Sequence, residues 1–211
     1  MTPKKIFILL CGILLVVQTN AQDVSSKKTS FQGYSGGMML HSGYLSGGAV
    51  GIHSHESISL QGAPFGIGGL LRFHVGKHLR IGGEGYNSTL HYGNNKSYMT
   101  LSWGGLLVDN PWKLNKFTVF PGVTVGGGSV KNITVVNNHP DSSIEKDAIY
   151  RKYSTLVVSP FIGMEYALSP KMHLITKIDY IVDIGGKQSD FARGARVYLG
   201  VVFFHGGKGK E

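Results

Sequence analysis

The chain has 211 residues, of which 31 are Gly, 16% are charged and 42% are hydrophobic, with a single Cys and a formal net charge of +9. Ordinary soluble domains carry about 25% charged residues and about 7% Gly, so this composition excludes a coiled coil, a disordered chain and a disulfide scaffold. Only 7 Pro and no three-residue repeat accompany the glycines, which excludes collagen.

The first element is an export signal. Lys4 and Lys5 precede an unbroken apolar run from Ile6 to Val17, followed by Gln18-Thr19-Asn20-Ala21, which predicts a cleaved secretory signal over residues 1–21. The run is shorter than the roughly 20 apolar residues a membrane helix needs. Cys11 lies inside it behind Leu10, where a lipoprotein signal would carry a small residue, so no lipid anchor is expected. Loss of Lys4 and Lys5 lowers the net charge from +9 to +7. Residues 22–33 read as a polar lead-in.

From there on, Gly, Val, Thr, Tyr and Phe dominate and alternation with period two recurs, the pattern of β-strands. A first strand is expected near Tyr34 to Val50, then a polar loop from Ile52 to Ala63. The next two segments form a hairpin around Gly76-Lys77-His78. Ile67, Gly69, Leu71, Phe73 and Val75 face outward going in, and Leu79, Ile81, Gly83 and Gly85 coming out. Pairing Val75 with Leu79 keeps one apolar face and sets Arg72 diagonal to Glu84. After a loop from His91 to Ser97, a strand over Tyr98 to Val108 is expected with Met99, Leu101, Trp103, Gly105 and Leu107 outward. Asp109 to Lys116 reads as a short connection. The strand over Phe117 to Val130 has Phe117, Val119, Pro121, Val123 and Val125 outward, and Lys131 to Lys152 reads as the longest loop. The clearest hairpin joins Thr155–Leu168 to Met172–Val182 around Ser169-Pro170-Lys171. Leu168 faces Met172, and Glu165 lies diagonal to Lys177, within reach of long side chains. A loop from Ile184 to Gly194 precedes a last strand over Ala195 to Phe204, with Val197, Leu199, Val201 and Phe203 outward. Residues 34–205 thus form the barrel domain and 206–211 a polar tail.

About eight strands with an apolar face, joined alternately by short turns and longer polar loops, predict an all-β fold, a closed antiparallel up-and-down transmembrane β-barrel. Every backbone polar group in lipid must pair internally, which a closed barrel achieves. The lumen of eight strands is only wide enough for side chains, and inward glycines leave space there for Arg72, Arg80, Glu84, Glu165, Lys177, Asp179 and Arg196 to pair. Tyr98, Tyr150, Tyr153 and Tyr180 near one end, with Trp112, Phe117 and Tyr166 near the other, are candidates for the interfacial aromatic girdles.

In signal, strand count, loop asymmetry and lumenal charges the mature chain resembles the small outer-membrane β-barrel family, which includes the transmembrane domain of outer-membrane protein A and the eight-stranded outer-membrane protein X. The signal ending Asn20-Ala21-Gln22 is similar to those of Bacteroidota. The resemblance implies insertion from the periplasm by the barrel-insertion machinery. Members usually end on an aromatic residue, whereas here Phe203-Phe204 is followed by His205-Gly206-Gly207-Lys208-Gly209-Lys210-Glu211.

Chemistry is sparse. His53, His55 and Glu56, with His91 and His139 in other loops on the same side, are the residues that could ligate a metal, but loop histidines are ordinarily solvated and no metal or cofactor is expected. His55-Glu56-Ser57 has the His-x-Ser spacing of a lipid A deacylase. Gly66-Ile67-Gly68-Gly69 and Gly126-Gly127-Gly128 lack the strand-turn-helix setting of a nucleotide loop and read as strand bends. The basic charge comes with no stacking platform, so nucleic acid is not expected. Outer-membrane lipids and lipopolysaccharide are the expected partners, with Lys96, Lys131, Lys146, Arg151, Lys152 and Lys187 the candidate phosphate contacts, and the long loops could present a surface to extracellular ligands. The expected role is structural or surface-interactive and not enzymatic. A deacylase-like enzyme, a small transport pore and a soluble lipocalin-like binding barrel are the alternatives.

Overall fold

The computed structural model describes residues 31–52, 56–93, 97–136, 147–185 and 190–206. The expected signal and most of the lead-in lie outside them, as do residues 207–211. Among the described residues there is no helix. The strands are β1 (Phe31–Ile52), β2 (Glu56–Gly62), β3 (Phe65–Val75), β4 (Leu79–Tyr92), β5 (Ser97–Asp109), β6 (Trp112–Leu114), β7 (Phe117–Val136), β8 (Asp147–Ala167), β9 (Met172–Asp183) and β10 (Arg193–Gly206).

All belong to one antiparallel sheet that closes on itself. β1 pairs with β10 from Gly33↔Gly206 to Ser46↔Arg193, and along its other edge with β3 and then β2. β2 and β3 therefore act as a single wall strand interrupted at Gly62 to Pro64, and β6 is a short ribbon against β7. The wall is a closed eight-stranded barrel, with no free sheet edge around its girth.

The short turns set the register. Gly76 takes a left-handed φ of 67° between β3 and β4, and Asn115 takes 55° between β6 and β7, conformations these residue types tolerate best. In the β8–β9 turn Leu168 N–H donates to the Met172 carbonyl (3.1 Å), and Ser169 Oγ accepts from Met172 N–H (3.1 Å). Val75 indeed pairs with Leu79, and both hairpins keep the expected faces.

Four expectations differ from the structure. In β5 the faces are reversed: Met99, Leu101, Trp103 and Leu107 are buried inside, while Leu106 and Val108 are exposed. This strand is apolar on both faces, and with a side-chain period of two the parity could not be fixed by hydrophobicity alone. Within the segment from Ile52 to Ala63, expected to be a loop, residues 56–62 form β2 and pair with the end of β1. Within Lys131 to Lys152, β7 continues to Val136 and β8 begins at Asp147, paired from Lys131↔Lys152 to Val136↔Asp147, so both ends of the expected loop are strand; residues 137–146 lie outside the described residues. β1 also starts at Phe31, inside the span read as lead-in.

The polarity of the two faces is opposite to that of a water-soluble protein. Met38, Leu40, Tyr44, Phe65, Ile67, Leu106, Leu156, Ile162, Ile178 and Leu199 are all exposed, Leu106 to 74%. Arg72 and Arg196 are 0% exposed. Tyr150 and Tyr180 are exposed at the long-hairpin end, and Trp112 and Phe117 at the short-turn end. Tyr153, expected among the girdle residues, instead packs against the buried core.

Inward glycines make the interior geometrically possible, for two reasons. A Cβ at Gly37, Gly105 or Gly126 would collide with the backbone of the adjacent strand, so glycine lets the strands coil closely there. A Cβ at Gly66, Gly68, Gly122 or Gly163 would enter the rings of His41, Tyr86, Phe161 or Phe120 respectively. Part of the space that glycine leaves in the interior is thus taken by aromatic rings, alongside the buried charges.

Candidate functional site

The interior side chains form two linked clusters. Near the short-turn end, Arg72 of β3 and Arg80 of β4 converge on Asp109 of β5 and Glu165 of β8. Arg72 donates from Nη2 to Glu165 Oε1 (2.5 Å) and from Nη1 to Asp109 Oδ2 (3.3 Å). Arg80 donates from Nε to Asp109 Oδ1 (2.5 Å) and from Nη1 to the same Glu165 Oε1 (3.0 Å). The Phe120 ring faces both guanidinium carbons, at 5.1 Å and 4.6 Å. His173 Nδ1 lies 3.6 Å from Glu165 Oε2.

Farther along the barrel, Lys177 donates to Glu84 Oε2 (2.7 Å), and Glu84 also accepts from Thr124 Oγ1 (2.6 Å) and Tyr86 Oη (3.1 Å). The Lys177 ammonium sits 4.4 to 4.9 Å from the ring centres of Tyr198, Phe161 and Tyr86. Arg196 holds Asp179 in a two-point contact, Nε to Oδ1 (2.9 Å) and Nη2 to Oδ2 (2.6 Å), and Ser159 (2.7 Å) and Tyr198 (2.9 Å) donate to the same carboxylate. Trp103 lies under Arg196 at 5.0 Å, and His41 packs on Tyr86 and Tyr198. Four cations thus meet four carboxylates, Glu84, Asp109, Glu165 and Asp179, all buried. A buried charge is tolerated when it is paired; Arg72 Nε, Arg80 Nη2 and Arg196 Nη1 are buried without a hydrogen-bond partner, and these guanidinium groups lie over ring faces instead.

Toward the long-hairpin end, Tyr92 hydrogen-bonds Asn132 Oδ1 (2.5 Å) and Thr134 Oγ1 (2.6 Å), and Thr155 donates to Asp183. Arg151 Nη1 lies 3.2 Å from buried Asp190.

All seven residues read from the sequence as lumenal are buried inside, but their partners differ from the cross-strand diagonals. Arg72 engages Asp109 and Glu165 instead of Glu84, and Lys177 engages Glu84 instead of Glu165, because these long side chains reach across the interior as well as along the wall. Asp109 was missed, since Asp109-Asn110-Pro111 reads as a turn. The parity of β5 carries the missing signal, because Asp109 shares its face with Leu107 and Trp103. The ring floor of Phe120, Phe161, Tyr86, Tyr198 and Trp103 was likewise invisible among ordinary strand-forming residues.

Among the remaining candidates, Lys131 and Lys152 are exposed on the outer face. Arg151 reaches toward Asp190, with its side chain about half exposed. Lys96, Lys146, Lys187, His53, His55 and His139 lie outside the described residues. Glu56 opens β2 opposite Ile52, and Ser57 follows it in the same strand. His91 is exposed on the outer face of β4, its ring 6.0 Å from that of Tyr98. No group of three or more His, Cys, Asp or Glu residues that could hold a metal occurs among the described residues.

No family model and no curated protein matches the chain. Solved structures do. Neisserial surface protein A (NspA) is 11% identical with a TM-score of 0.60, covering 83% of this chain and 99% of its own. Ail, the attachment invasion locus protein of Yersinia pestis, solved in complex with the heparin analogue sucrose octasulfate, is 13% identical with a TM-score of 0.50, covering 82% of this chain and 99% of its own. The N-terminal β-barrel domain of Pseudomonas aeruginosa OprF is 13% identical with a TM-score of 0.43, covering 83% of this chain and 100% of its own. For NspA and Ail, at these identities, the likeness is one of fold: the chain has the eight-stranded architecture of these small outer-membrane barrels.

Proposed function

We propose that the chain is an integral outer-membrane β-barrel, exported by the signal at residues 1–21, with its interior closed by ion pairs and rings and the β1–β2 and β7–β8 hairpins facing outward from the cell. Its role is structural or surface-interactive, not catalytic. The observation that carries this reading is the inverted polarity, an exposed apolar wall around a charged, paired interior. A soluble lipocalin-like barrel has the reverse, an apolar cavity behind a polar wall. The side chains of Arg72, Arg80, Glu165 and Phe120 meet across one level, and those of Lys177, Glu84, Tyr86 and Tyr198 across another, which argues against a pore.

The test combines two measurements on the full-length protein. Extracted without boiling, it migrates on a detergent gel at a position that shifts on heating, as a closed barrel does. An epitope inserted at residue 141 is stained by antibody on intact cells. Unshifted migration together with staining only after lysis would return the chain to the soluble class.

A further inference from the structure

The outward faces of β5, β7 and β8 are in one register. Lys131 stands directly opposite Lys152 on one side and Thr100 on the other. Two residues toward the short-turn end, Ser129 opposes Ser154 and Ser102. Two farther, Gly127 opposes Leu156 and Gly104, and then Val125 opposes Val158 and Leu106. At about 3.3 Å per residue these four levels span roughly 20 Å of wall, grading from ammonium through hydroxyl and bare backbone to aliphatic. A shallow depression of about 750 Å³ follows the middle levels; its outward-facing lining is Ser102, Gly104, Gly127, Ser129, Ser154 and Leu156, and it also reaches Tyr86 and Trp103 through the wall. It is open at Gly127, where an added Cβ would meet only the Thr155 carbonyl, at 3.9 Å.

Like charges directly opposite on one face of a sheet are destabilising. Among the described residues the interior cations Arg72, Arg80, Lys177 and Arg196 are all paired, yet Lys131 and Lys152 are exposed and make no ion pair there. Two uncompensated ammonium groups above a hydroxyl band and an apolar trough match the order of parts in a phosphorylated lipid: phosphate, polar head, acyl chain.

We propose that this wall binds one phosphorylated lipid of the outer leaflet, a lipopolysaccharide. Its phosphate lies between Lys131 and Lys152, its head-group hydroxyls rest against Ser102, Ser129 and Ser154, and an acyl chain lies in the trough over Gly104 and Gly127. Arg151 takes no part, since it turns to Asp190 on the other face. The site rests on the outer-membrane reading and deepens it.

The experiment uses the full chain folded in detergent, with folding checked by heat-modifiable migration, titrated with purified lipopolysaccharide. Lys131→Ala/Lys152→Ala weakens binding about thirtyfold, the expected worth of two lysines at an anionic surface, whereas Lys131→Arg/Lys152→Arg stays close to wild type. Gly127→Leu, which fills the trough and leaves the charge intact, also weakens binding. Lipopolysaccharide stripped of phosphate binds the wild type and the double alanine variant equally. Unchanged affinity in a folded double alanine variant overturns the site. So does an equal loss from Lys113→Ala/Lys116→Ala at the short-turn end, which would mean diffuse attraction. Absence of heat-modifiable folding in the wild type would instead overturn the outer-membrane reading itself.

Discussion

Glu165 serves two arginines through a single oxygen, and both guanidinium groups are almost wholly buried. Glu165→Gln leaves Arg72 and Arg80 with only Asp109 as counter-charge. Removing one partner of a buried pair costs about 3 to 5 kcal/mol, so the temperature at which the folded gel band converts should fall clearly. Lys113→Ala, on the exposed β6 ribbon, should stay within about 0.5 kcal/mol of wild type. A double-mutant cycle between Arg72 and Glu165 should give a non-additive term, as contacting groups do. At this scale the sequence disclosed seven of the eight charges in the two interior clusters, since each of those falls on a clear parity of an alternating strand, and it missed Asp109, which ends the two-faced β5. It did not disclose their partners, because an ion pair across an eight-strand lumen joins residues as far apart in sequence as Arg72 and Glu165.

Individual strands were legible in proportion to the contrast between their faces. β8 and β9 set aliphatic residues against Ser159, Glu165, Lys177 and Asp179, so one parity was possible. β5 sets Met99, Leu101, Trp103 and Leu107 against Tyr98, Leu106 and Val108, and only the ring-lined interior decides which faces in. The reversal has a direct test. Leu106→Arg puts a charge on the outer wall and should cost about 2 to 4 kcal/mol if it lies near the bilayer midplane, while Ser102→Arg, nearer the head groups, should cost about 1 kcal/mol or less, both measured by urea titration in lipid vesicles. Glycines divide in the same way. Gly68→Val drives a side chain into the Tyr86 ring and should abolish the heat-modifiable band, whereas Gly127→Ala meets open space and should retain it.

For the whole molecule, the closed interior proposed above predicts that the purified protein gives no steady conductance in a planar bilayer, and a stable open level in single-channel recordings would contradict this. The closing seam carries a further consequence. Gly33 lies opposite Gly206, so the sheet becomes a ring only when the two ends of the barrel sequence meet, and joining such distant segments is intrinsically slow. Glu84 and Lys177, 93 residues apart in sequence, are brought together by the same curling, and we expect their bond to form only once the ring has closed. A contact absent from the transition state alters unfolding and leaves folding almost untouched. Glu84→Gln should therefore refold from urea at nearly the wild-type rate and unfold much faster. The interior ion pairs then govern the lifetime of the barrel, while the rate of its formation is set at the seam.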